Sequence, residues 1–115
     1  MNIVVINHEK TIADYLVLLL SEFGCRALPL YTTQDAIDHF RKIQFDLAII
    51  SNVMPVMSGD ELGDLYRTEL FQQNCKVILV GTDPTLTDSR LQSPEFRYLT
   101  LPFEKEDLRR MIYEA

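Results

Sequence analysis

The sequence predicts an α/β domain: a doubly wound sheet of five parallel strands with helices on both faces. Three observations predict it. Short apolar runs alternate with segments of helical periodicity along the chain, the pattern of strand–helix–strand crossovers. Three of those runs, Ile3 to Ile6, Leu47 to Ile50 and Val77 to Val80, are continuously apolar, as befits strands covered on both faces. The chain has 115 residues, 47% of them hydrophobic, which suits a single domain, 1–115, with a substantial core.

The elements follow in order. Ile3 to Ile6 is the first strand, and Asn7-His8-Glu9-Lys10 is the polar loop after it. Ile12, Ala13, Leu16, Leu19, Leu20 and Phe23 recur at helical spacing, with Thr11 near the start and Gly24 as the stop. Ala27 to Leu30 is a short strand interrupted by Pro29, which places it near a sheet edge. Thr32 or Thr33 caps a second helix whose inner face would be Ala36, Ile37, Phe40 and Ile43. Leu47 to Ile50 is the third strand. Glu61 to Leu70 is a third helix facing inward through Leu62, Leu65 and Leu70. Val77 to Val80 is the fourth strand. The segment from Thr82 to Pro94 holds few large apolar residues between two prolines, so it reads as one or two helical turns or as a loop. Phe96 to Leu101 is the fifth strand. Glu104 to Glu114 is the last helix, with acids in its first turn and Arg109 and Arg110 later, an order that suits the helix dipole. Leu108, Met111 and Ile112 would face the sheet.

Composition excludes several classes of function. The net charge of −6 with no basic cluster argues against nucleic acid and against an anionic membrane surface. The longest apolar run, Tyr15 to Leu20, is far too short to span a bilayer, and the N-terminus lacks the basic start of a signal peptide. Cys25 and Cys75 have no metal-ligand spacing and read as reduced thiols of a cytoplasmic protein. No glycine-rich phosphate loop is present, which weakens any nucleotide-dependent enzyme.

In a parallel α/β sheet, ligand sites lie at the carboxyl ends of the strands, here the loops after Ile6, Ile50, Val80 and Thr100. The stretch from Asp46 to Gly59 joins the third strand to the loop after it, and that loop begins Ser51-Asn52-Val53-Met54-Pro55. With Tyr98-Leu99-Thr100-Leu101-Pro102-Phe103 before the last helix, this loop and the order of elements resemble a response-regulator receiver domain over nearly the whole chain. Thirty positions separate Ser51 from Gly81 and fifty separate it from Leu101, the second interval slightly short for the family. The resemblance implies a flavodoxin-like (βα)5 fold, strand order 2-1-3-4-5, with a shortened or irregular fourth helix.

The resemblance also implies a chemistry, and this chain departs from it residue by residue. Receivers hold a divalent cation, normally Mg²⁺, with an acidic pair and an acceptor aspartate; those positions fall on Asn7, His8 and Ser51. The switch hydroxyl falls on Gly81, although Thr82 follows directly. The lysine falls on Leu101, before Pro102, whose peptide bond the resemblance makes a candidate for cis. Glu9 is the one carboxylate expected near the site. A register slip of one would put the amide Asn52 at the acceptor position. One carboxylate and an amide hold Mg²⁺ poorly against water, and a serine hydroxyl without a base is a poor acceptor. The expectation is a degenerate pocket with no catalysis, no cofactor and no metal. Leu101 is expected to pack it shut. His8 reads as a solvated loop histidine; as a base for Ser51 or a soft-metal ligand it lacks a third partner. Ser51 reads as a small hydrogen-bonding filler, or alternatively a kinase target. His39 reads as surface.

Receivers signal through the face formed by the fourth helix, fifth strand and last helix. Arg90, Arg97, Tyr98, Asp107 and Arg110 would border it. Tyr98 matches the family's aromatic switch position and is either a half-buried strand aromatic or a rotamer locked in one state; the two are compatible. The reading is a pseudo-receiver of bacterial two-component signalling, which binds a protein partner or a second copy of itself without aspartyl phosphorylation. The end of the last helix soon after Ile112 hints at a domain cut from a longer chain with an output domain. The alternative is a receiver-derived sensor that binds a small ligand or metal in the former phosphorylation pocket.

Overall fold

The computed structural model describes residues 1–40, 42–51, 76–82 and 96–113. The expected helix Glu61 to Leu70, the loop around Met54, Pro55 and Gly59, and the segment 83–94 lie outside the described residues, as do Asn52, Cys75, Arg90 and the side chain of Phe40.

The described elements are β1 (Asn2–Ile6), α1 (Lys10–Glu22), β2 (Arg26–Leu30), α2 (Thr33–Phe40), β3 (Leu47–Ser51), β4 (Lys76–Gly81), β5 (Phe96–Thr100) and α3 (Lys105–Tyr113). The five strands form one parallel sheet in the order β2-β1-β3-β4-β5, as the resemblance implied. Pro29 sits in an edge strand, where its missing N–H costs no ladder bond to a further strand.

Side chains alternate between the two faces of each strand, and each face has its own core. Val4, Ile6, Ala48, Ile50, Val77 and Leu79 pack with Ala36 of α2 and with Phe45. Ile3, Val5, Leu47, Ile49, Ile78, Val80 and Leu99 pack with Ala13, Leu16, Leu19 and Leu20 of α1 and Leu108 and Ile112 of α3. A continuous apolar run is therefore the right composition for these strands, because both alternating sets are buried.

The helix ends obey local chemistry. Gly24 takes φ 84°, with Gly24 N–H donating to Ser21 O at 3.0 Å and Cys25 N–H to Leu20 O at 2.9 Å. That pairing is a Schellman stop, and its left-handed residue favours glycine. Thr32 is the cap of α2: its Oγ1 accepts from Asp35 N–H at 3.0 Å. Asp107 accepts from Glu104 N–H at 3.0 Å and secures the start of α3.

Two expectations need correction. Ile43 is not on the inner face of α2: the helix ends at Phe40, and Ile43 is 40% exposed. Its N–H still bonds His39 O at 2.9 Å, so the chain turns there without continuing the helix. The fifth strand ends at Thr100 rather than Leu101: Leu101 N–H still bonds Gly81 O of β4 at 2.7 Å, and the cis Leu101-Pro102 bond follows at once. Among the described residues no helix is long and apolar enough to cross a membrane.

Candidate functional site

Strand register builds the site. Ile6 pairs with Ile50, so the next residues, Asn7 and Ser51, leave neighbouring strands at the same level. Ser51 pairs with Val80 and Gly81 with Thr100, which brings Thr82 and Leu101 to the same end of the sheet. These carboxyl ends surround a cleft of about 250 Å³ lined by Asn7, His8, Glu9, Ile12, Ser51, Val80, Gly81, Thr82 and Leu101. Seven of the nine positions expected from the sequence thus meet in one cavity. Pro102 does not line it: the residue is exposed beyond the turn. Asn52 lies outside the described residues. Ile12 and Val80 were missed as lining residues, although Ile12 is the first apolar residue of α1 and Val80 closes its own apolar run.

Burial separates the polar groups into two classes. Asn7 is 4% exposed and Ser51 9%, so both sit in the floor. His8, Glu9 and Thr82 are exposed at the mouth. Asn7 N–H donates to Leu30 O at 3.0 Å, which ties the loop to β2. Its side-chain Oδ1 accepts from Glu9 N–H at 2.9 Å, an Asx-turn that leads into α1. Leu101 is half-buried and packs against the Ile3–Leu108 core. It forms part of the wall rather than a plug, so the expectation of a pocket packed shut is corrected: the cleft remains open beside it.

The described donors by themselves do not suit a hard divalent cation. Mg²⁺ needs a nearly octahedral shell of oxygens and at least one or two carboxylates. Asn7 Oδ1 is already engaged by Glu9 N–H, and Glu9 is the only carboxylate among the described lining residues. No group of three His, Cys, Asp or Glu among the described residues could hold a metal.

The residues expected on an interaction surface are placed differently. β5 is an edge strand. Arg97 is level with Ile78, and Tyr98 with Leu79, so the two point to opposite faces of the sheet and share only its edge. Both are half-buried, and Tyr98 packs on the core beneath α2. Asp107 and Arg110 are exposed on α3. Arg109 turns toward Glu106, at 3.3 Å, and the ring of Tyr113.

No family sequence model and no curated protein sequence matches the chain. Solved structures do. The chain is similar to a CheY-like response regulator receiver domain from Methylobacillus flagellatus, with a TM-score of 0.88 and 19% identity over 99% of this chain and 97% of that one. A two-component response regulator from Clostridium difficile matches with a TM-score of 0.84 and 20% identity, covering 99% and 93%. The response regulator TrrA from Thermotoga maritima, solved in complex with Mg²⁺ and BeF, matches at 0.79 and 25% identity, covering 98% and 96%. The chain has the receiver-domain fold.

Proposed function

We propose that this chain is a receiver-type module of two-component signalling that works in the cytoplasm through protein–protein contact, without aspartyl phosphorylation. One observation carries the reading: five parallel strands in the receiver order hold at their carboxyl ends a cleft whose floor is Asn7 and Ser51, with Leu101 in its wall. An amide and a hydroxyl stand where phosphoryl chemistry requires carboxylates, and no lysine balances charge at position 101.

Such a module keeps one conformation because no phosphoryl group biases it, and it signals by presenting a fixed surface. The β5 edge supports that role, with Tyr98 anchored in the core on one face of the sheet and exposed Asp107 and Arg110 on α3, which covers the other face. An exposed sheet edge with charges of both signs on the neighbouring helix suits a protein partner or a second copy. The test is incubation with acetyl phosphate and Mg²⁺ followed by intact-mass measurement. The expected result is no phosphoryl adduct; an adduct mapped to Ser51 or Asn52 overturns the reading.

A further inference from the structure

A second cavity lies at the opposite end of the sheet, at the amino ends of β1 and β2. It measures about 320 Å³ and is lined by Asn2, Arg26, Leu28, Ile43 and Phe45, together with Ile3 and Ala27. Val4, Ile6, Leu28 and Leu30 belong to the core beneath α2, so alternation places Asn2 and Arg26 on that same face. Helix α2 runs back from the carboxyl ends of the strands toward their amino ends, and it stops at Phe40. The amino ends of β1 and β2 are therefore left uncovered by it, and the turn that carries Ile43 and Phe45 forms the wall there.

The lining has an apolar part and a cationic part. Leu28 is half-buried and Ile43 is 40% exposed, so the cavity keeps apolar surface in contact with water, which an apolar ligand would cover. Arg26 and Asn2 are exposed at the rim, paired in register on neighbouring strands. A guanidinium presents a planar fork of donors that matches a carboxylate, and an amide beside it adds a further donor. Arg26 is the one charged residue among the described lining residues. Asp46 adjoins the rim without lining the cavity, and its Oδ2 accepts from Asn2 N–H at 2.7 Å.

We propose that this cavity binds a small carboxylate with an apolar body, such as an arylalkanoate. The apolar body lies against Leu28, Ile43 and Phe45, and the carboxylate accepts from the side chains of Arg26 and Asn2. Size limits the ligand: 320 Å³ corresponds to roughly eleven waters at ~30 Å³ each, so a ligand of roughly ten non-hydrogen atoms fills it. Charge limits it too, since a guanidinium at the rim favours an anion over an uncharged or cationic compound of the same shape. The site goes beyond the partner-binding reading and shares no residue with the cleft at the carboxyl ends.

The test is a heteronuclear NMR titration of the whole chain with phenylpropionate, phenylpropanol and phenylpropylamine in turn, at two protein concentrations. Saturable shifts at Arg26, Leu28, Ile43 and Phe45 are expected with phenylpropionate. The acid should bind about threefold to fivefold tighter than the alcohol, the range of an exposed ion pair, and the amine should bind weakest. Arg26→Gln, at an exposed position, should bring the acid down to the level of the alcohol and leave the alcohol unchanged. Ile43→Ser should weaken acid and alcohol alike, about threefold. Absence of saturable shifts, an acid that binds no tighter than the alcohol, or a preference that survives Arg26→Gln overturns the proposal. Shifts at these residues that follow protein concentration without ligand also overturn it, since they mean that a second copy occupies the cavity.

Discussion

Truncating Leu108 to alanine tests how the last helix is held in place. Leu108 is fully buried, and with Ile112 it is the point at which α3 enters the core formed by Ile78, Val80 and Leu99. Removing about three carbons forfeits roughly 2.4 kcal/mol of transfer free energy at ~0.8 kcal/mol each. The void left behind adds to this, and buried leucine truncations span about 2–5 kcal/mol in total. Complete burial between a helix and a sheet places this site at about 3–4 kcal/mol. A domain of 115 residues has about 6–17 kcal/mol of stability at ~0.05–0.15 kcal/mol per residue, so the variant should still fold. Urea denaturation should show a lower midpoint with an unchanged slope, and the melting temperature should fall by roughly 10–15 °C. Arg110→Ala, at an exposed position on the same helix, should change stability by less than about 0.5 kcal/mol. A loss below about 1 kcal/mol for Leu108→Ala would refute the packing argument, since it would mean that α3 is not docked through this side chain.

Tyr31 donates to Asp14 Oδ1 at 2.6 Å, and its pKa is raised above 10.0, first by that hydrogen bond and then by desolvation and the carboxylate's charge. The protonated phenol is the bonded form, so the contribution is complete below about pH 10 and is lost as pH rises through the folded-state value. Alkaline difference spectroscopy should therefore show a late-titrating tyrosine that Asp14→Asn brings earlier; an unchanged titration would rule out the bond. Introducing three acids and a lysine together (Asn7→Asp, His8→Asp, Ser51→Asp and Leu101→Lys) should create Mg²⁺ binding, read as a rise in melting temperature on adding Mg²⁺ that is expected to be absent from the parent protein. At tenfold excess over Kd the gain is about 1.4 kcal/mol. A variant that folds yet ignores Mg²⁺ would show that the framework, and not only those four residues, has left the receiver arrangement.

Much of the fold was legible because burial on both sides of a sheet leaves a plain signature. Leu47 to Ile50 and Val77 to Val80 read as covered strands, and each alternating set is buried on its own face. Pro29 marked an edge strand and Gly24 a helix stop, since both residues act through their own backbone. The site residues were legible for a related reason. Loops at the carboxyl ends of parallel strands converge, so naming the strand ends named most of the cleft.

Other features depend on distances between segments remote in sequence. Arg97 and Tyr98 are chain neighbours, yet the pleat sends them to opposite faces of the edge strand. Tyr113 donates to Phe23 O and lies 3.6 Å from the free thiol of Cys25, contacts spanning about ninety positions that no local pattern encodes. Ile43 has the right spacing for the inner face of α2, but helical spacing counts only while the helix lasts.

The amino-acid sequence by itself determined the alternation of strands and helices and the two-sided core, because these follow from residue type and period. Only the tertiary structure decided that the cleft stays open beside Leu101, and that the side chain of Asn7 is turned so that its Oδ1 accepts from Glu9 N–H. Both depend on strand register and on the approach of one loop to another, which are set by packing across the whole sheet and not by any single segment.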